Sequence, residues 1–441
     1  MRALLASATL LLAVTTMTGY IPQATTSTPP KTQNELVTEL IKEARAAIRH
    51  KDFTKSAQLL EEAIAKAGPE PGLLYDTACS LALVGDKEKA FQFLFSAIQA
   101  GYHRTSHLKT DSDLDSLHDD ARWAKAIAAC DHQEVKFIKD HSDPNKARFI
   151  TTDISRFWLA YDKAMSVAPK DRAAILQREY IDRGTPGLKD FNRSGRVSAE
   201  GLAKAIESSP NFFKAIRPLS AGIDRQRAET IRAFRKLKEL YPQAIFPDTY
   251  FLIGEISFAG TASGNGLLIG AEMFTRSPDI PTAELGDWER NTIMEQSEIP
   301  PLVAHEFVHF HQAYGSQESL LCKCLNEGSA DFIGELISGR LLTRTQKAHV
   351  WADARERQLW DEFQKEMDGT DISHWLYAGN EKGDRPVDLG YWMGYKISEA
   401  YYRRAADQKQ AIKDILMVKD CKEFLNASHY EDRFVSSSGT Q

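Results

Sequence analysis

Apolar positions change their spacing several times along the chain, and each change marks a different kind of element. From Glu35 to about residue 130 they recur with helical spacing and also repeat at an offset of 34 residues. Ala44 aligns with Ala78, Asp52 with Asp86, Ser56 with Ala90, Leu60 with Leu94, Ala63 with Ala97 and Ile64 with Ile98. Helical spacing continues over 153–168, 171–183 and 199–215, with Thr185-Pro186-Gly187 as a turn. A longer amphipathic helix is expected over 223–240, and the Arg and Lys on its polar side read as a solvated face. From Ala244 the texture becomes that of short strands, 249–257 and 267–273, separated by the glycine-rich segment 260–266. That segment reads as a hairpin or rim, because no Lys-Ser/Thr follows it to make a phosphate loop. Helices return over 300–312, 326–339 and 343–367 and from Gly390, while 371–388 is irregular. The pattern predicts an α+β chain, with all-α helical repeats followed by a mainly helical domain that carries a small β-sheet.

Residues 1–24 have the form of an export signal: Arg2 is the single charge, an apolar run from Leu4 to Val14 follows, and small residues come next. The run is short for a membrane span, and no cysteine stands where a lipoprotein signal needs one. Residues 25–34 read as a linker, 35–130 as the repeats, the polar run 131–148 as a boundary, 150–434 as the second domain and 435–441 as a disordered tail. The mature chain is expected to be exported, periplasmic or secreted, with no membrane span. The 34-residue period, with small residues where paired helices cross, resembles the tetratricopeptide repeat, which implies a docking groove for a protein partner or a module that props the second domain.

Composition narrows this reading. The chain has 441 residues, more than one core usually serves, and its net charge of −6 is mixed along the sequence, which gives no nucleic-acid signature. Five cysteines are too few and too scattered for a disulfide scaffold. In an exported protein Cys79 and Cys130 form a conceivable pair, while Cys322 and Cys324 are too close to bridge readily and read as structural.

The chemistry lies in His305-Glu306-Phe307-Val308-His309. On a helix, residues four apart share a face, so His305 and His309 can present two imidazoles to one ion with Glu306 beside them. Val303, Phe307, Phe310 and Tyr314 form an apolar stripe on the other side, and His311 falls away from the pair. A second helical stretch, Asn326-Glu327-Gly328-Ser329-Ala330-Asp331, follows. His, His and Glu is an established zinc set, which makes Glu327 the third ligand. Asp331, one turn on, is placed to accept the remaining N–H of His305, with Asn326 flanking the ligand.

This helix pair resembles the gluzincin arrangement of zinc proteases. From about Thr152 to Tyr402 the chain also resembles a bacterial family of zinc-dependent proteases related to a gliding-motility lipoprotein. The shared stretches are Asp153–Trp158, Gly260–Gly266, His305–His309 and Gly390–Tyr395. The resemblance implies a zincin-like domain and a strand ending at Met273 that pairs with extended substrate. It also implies a donor for the oxyanion, with Tyr391 and Tyr395 as candidates.

The expected activity is hydrolysis of peptide bonds in a peptide or protein substrate, by a zinc-activated water with Glu306 as general base. The alternatives are a non-catalytic envelope protein on the same scaffold and a repeat-based interaction module.

Overall fold

The computed structural model describes residues 32–315, 318–377 and 384–435. The export signal and residues 436–441 of the tail lie outside them, as does the linker as far as Lys31. Helix begins sooner than the linker reading allows. Thr32 and Glu35 form a reciprocal capping box, which starts α1 (Gln33–Arg49) inside the proline-poor end of that segment.

Three more helices complete two antiparallel pairs: α2 (Phe53–Ala67), α3 (Pro71–Val84) and α4 (Lys87–Gln99). Residues 34 apart take equal roles. Asp52 caps α2 by accepting from Lys55 N at 3.1 Å, and Asp86 caps α4 by accepting from Lys89 N at 3.1 Å. Ala44, Ala63, Ala78 and Ala97 are all fully buried, so the backbones approach closely where the helices cross. Beyond α4 the polar run from Asp131 begins as the outer half of one helix, Ala121–His141, and the turn at Asp143-Pro144-Asn145 follows it. Cys79 and Cys130 are both buried and free; Cys79 lies against the Asp111 carboxylate and Cys130 against the Tyr102 carbonyl.

The remainder is mainly helical around a four-stranded sheet: β1 (Phe149–Ile150), β2 (Thr249–Leu252), β3 (Gly260–Ser263) and β4 (Gly266–Gly270). Their order is β1-β2-β4-β3; β1, β2 and β4 are parallel and β3 returns antiparallel. The β3–β4 turn needs its last glycine. Gly266 has φ +135°, and a side chain there would strike the Asp248 carbonyl. The glycine-rich segment makes the expected hairpin, β3 turning back into β4. One expectation fails at this sheet: the strand expected to meet substrate, β4, lies inside it with partners on both sides. The outer strands are β1, of two residues, and β3, of four.

Two expected helices are interrupted. The 199–215 stretch ends at Ser208 and restarts at Pro210, whose missing N–H cannot continue the ladder. The 343–367 stretch divides into Thr343–Asp353 and Glu356–Phe363. The amphipathic helix Arg227–Leu240 buries Phe234 and Leu237 and turns its basic side outward. No helix among the described residues is long and apolar enough to cross a membrane.

Candidate metal centre

His305 and His309 stand on the helix Ile299–His311, which opens with Pro300 and Pro301 in its first turn. Its buried side is pinned by Phe307, whose ring lies 4.2 Å from that of Phe234 and 5.8 Å from that of Phe246. The helix ends at His311, short of Tyr314, because Gln312 turns extended and folds its side chain back. His311 takes no part in the centre: its Nδ1–H donates to the Phe307 carbonyl, Nε2 accepts from Ile245 N–H, and burial pushes its pKa down to about 4.

Glu327, Asp331 and Asn326 stand on the helix Leu320–Ser338, closed by Gly339 in the left-handed conformation. This helix is held in place in two ways. The closing helix Leu389–Arg404 crosses it at a seam of small residues: a side chain at Gly394 would come within 1.8 Å of the Cys324 carbonyl, and one at Gly328 within 2.2 Å of Tyr395 N. In addition, Cys322 forms a disulfide with Cys421, at a Cα separation of 5.5 Å. The cysteine expectations are thus corrected: the bridge joins two cysteines 99 residues apart, and neither Cys79 nor Cys130 takes part.

The two helices bring His305, His309 and Glu327 together, with one donor atom from each within 4.8 Å of the others. His305 Nε2 lies 3.0 Å from His309 Nε2, and Glu327 Oε2 lies 3.6 Å from the first and 3.2 Å from the second. Metal–ligand bonds of about 2.0–2.1 Å at tetrahedral angles put ligand atoms about 3.3 Å apart, so the triangle fits zinc. Both imidazoles have their other nitrogen engaged. His305 Nδ1–H donates to Asp331 Oδ1 at 2.8 Å and His309 Nδ1–H to Gln312 Oε1 at 2.7 Å, which leaves each Nε2 for an ion. Gln312 Oε1 also accepts from Asn326 Nδ2 at 2.9 Å, so Asn326 acts on His309 through Gln312.

Charge at the centre favours a cation. Burial opposes an imidazolium at His305, but Asp331 and Glu327 outweigh it and hold the pKa well above its ordinary value. Burial opposes and Glu327 again prevails at His309, which is raised. Glu327, which burial alone would raise, is held well below the carboxylate range by the two imidazoles. Protons here sit where a dication would replace them. Glu306 is half-buried beside this group, and a side chain at Gly260 of β3 would come within 2.9 Å of its carboxylate. The general-base candidate therefore lies over the face of β3 at Gly260.

The tyrosines separate. The Tyr391 ring lies 6.1 Å from that of His305, and burial holds its hydroxyl protonated far above neutrality. Tyr395 is set aside as an oxyanion donor, because its hydroxyl donates to Glu335 at 2.6 Å, two turns along the ligand helix from Glu327. Tyr377 was not singled out by the sequence, yet its hydroxyl donates to Glu327 Oε1 at 2.7 Å while the residue is 61% exposed, with φ +55°. It falls in the stretch expected to be irregular, where no periodicity points to it. Gln312 was expected to end the motif helix and was not singled out either; it leaves the helix one residue early and turns its side chain onto His309.

Comparison with known proteins adds one match. No curated protein and no solved structure matches this chain. Residues 146–432 match the family described as gliding motility protein GldB, a span that takes in the whole sheet, both metal-centre helices and the helix that closes over them. The match covers well over half of the chain, which therefore belongs to the gliding motility protein GldB family.

Proposed function

We propose that this chain is an exported zinc-dependent peptide hydrolase of the cell envelope, either periplasmic or secreted. The triangle of His305 Nε2, His309 Nε2 and Glu327 Oε2, with both Nδ1 atoms already engaged, carries the reading. A bound zinc would supply Lewis acidity, lowering the pKa of a water and polarising a carbonyl. Glu306, beside His305 and His309, is the general base that would accept a proton from a water at the centre and return it to the departing amine. As an outer strand whose Gly260 lies against Glu306, β3 is the strand that would pair with an extended peptide. Tyr377, whose hydroxyl reaches Glu327, and Tyr391, whose ring lies 6.1 Å from that of His305, are the candidate donors to an oxyanion. The Cys322–Cys421 bridge suits an oxidising compartment, which supports export.

Two measurements on the purified mature protein test this. About one zinc per chain is expected, lost or much weakened in Glu327→Ala. Glu306→Gln should keep the metal and lower hydrolysis of a peptide library by about 10²–10⁴-fold. Cleavage that survives Glu306→Gln would remove the mechanism.

A second reading, a non-catalytic assembly protein, is favoured by one observation. The repeats contain a groove of about 520 Å³ lined by the stacked Tyr75 and Tyr102 and by Asp76, Asp111 and Arg104, which suits partner docking on a tetratricopeptide-like module. Zinc binding without hydrolysis of any peptide in the library would favour it.

A further inference from the structure

Asp331 holds His305 through one carboxylate oxygen only. Its Oδ2 is enclosed, in a residue 4% exposed, and meets no hydrogen-bond donor among the described residues. A buried polar atom left in that state costs about 1–3 kcal/mol, and folded proteins leave few. A second such atom lies on the helix Thr343–Asp353. His349 is 8% exposed, and its Nε2 is likewise enclosed and unbonded among the described residues.

The two atoms complement each other. Burial holds the His349 pKa below its ordinary value, so the ring is neutral near pH 7 and carries one proton. Asp331 is the charge acting on it most strongly, ahead of Asp353 and Lys396. The ring is fixed by Tyr395, edge-to-face at 4.7 Å, and Tyr395 is itself anchored by its hydroxyl on Glu335. One partner is an acceptor without a donor and the other a ring nitrogen without a partner.

We propose that His349 is a positioning residue of the metal centre, its Nε2–H joined through one bound water to Asp331 Oδ2, so that the carboxylate orienting His305 is itself held. This rests on the metal reading above. His349 Nε2–H donates to the water, the water donates to Asp331 Oδ2, and Asp331 Oδ1 accepts from His305 Nδ1–H, which turns the His305 Nε2 lone pair toward the ion. It also gives Tyr395 a role away from the reacting atoms, in orienting His349.

The test is zinc affinity of the full mature chain, by competition with a chromogenic chelator, alongside thermal melting of the metal-free protein. His349→Leu should weaken zinc binding roughly tenfold. His349→Gln keeps an N–H donor and should stay within about threefold of wild type. Wild-type affinity in both variants, or equal loss in both, overturns the inference. A second readout needs no metal: ¹⁵N NMR of the metal-free chain should find the His349 proton on Nε2, and a proton on Nδ1 overturns the inference. If the wild-type chain takes up no zinc, the metal reading falls and the positioning role with it. Wild-type zinc binding with both variants unaffected sinks only the role of His349.

Discussion

The repeats and the candidate metal centre both join helices over small residues, but they are built on different terms. In the repeats the same contacts occur twice: Asp52 and Asp86 cap equivalent helices, and Ala63 and Ala97 fill equivalent crossings. At the candidate metal centre every contact occurs once, and the buried groups are polar. Asp331, Gln312 and Asn326 each satisfy a particular atom, and Gly328 and Gly394 admit backbone where no side chain fits. A repeated contact is easily replaced by a similar one, whereas a unique one has no substitute nearby.

Substitution at the seam should show this difference most strongly. Gly394→Val is expected to cost about 3 kcal/mol or more in chemical denaturation, because Cβ would overlap the Cys324 carbonyl. A comparable loss from Ala97→Val in the repeats would erase the contrast. Removing the bridge with Cys322→Ser and Cys421→Ser should cost about 3 kcal/mol, since it closes a long loop in the unfolded chain. The repeats contain no bridge among the described residues, so reducing agent should lower the melting of the C-terminal region and spare theirs.

A buried carboxyl gives a third contrast. Glu272 is fully enclosed, and burial pushes it up to about 7, with backbone amides partly offsetting the effect. The folded chain therefore keeps this proton where the unfolded chain, at an ordinary value near 4.5, has lost it. The resulting stability is complete below about 4.5 and is lost as pH rises through about 7, on the order of 3 kcal/mol by pH 8. Melting temperature should fall between pH 5 and 8 and flatten in Glu272→Gln; a wild-type profile already flat would contradict the burial. The smallest effects are the caps. Asp52→Ala and Asp86→Ala should each cost about 1 kcal/mol, and a clear inequality would break the equivalence of the two pairs.

What was legible follows from what is local. His305, His309, Glu327 and Asp331 lie on two helices whose spacing fixes their shared faces, so the sequence carried their juxtaposition. The 34-residue offset carried the repeats in the same way. The glycine-rich run was legible as a hairpin, but its outer place beside β4 was not, because strand order is a tertiary property. The pairing of Cys322 with Cys421, the reach of Tyr377 to Glu327 and the turn of Gln312 onto His309 depend on loops and long-range packing, which spacing does not encode.

The glycine seam sets the direction in which this protein can change. No amino acid is smaller than the Gly328 and Gly394 that occupy it, so the separation between the Glu327 helix and its neighbour stands at its lower limit. Every replacement there pushes the helices apart, and none draws them closer. Drift at these two sites is one-sided, and recovery from a first replacement needs a change in the opposing backbone or a reversion. Diversity within this architecture should accordingly collect in the loops that border the centre, around Tyr377 and the β3–β4 turn, while the helix pair itself stays as it is.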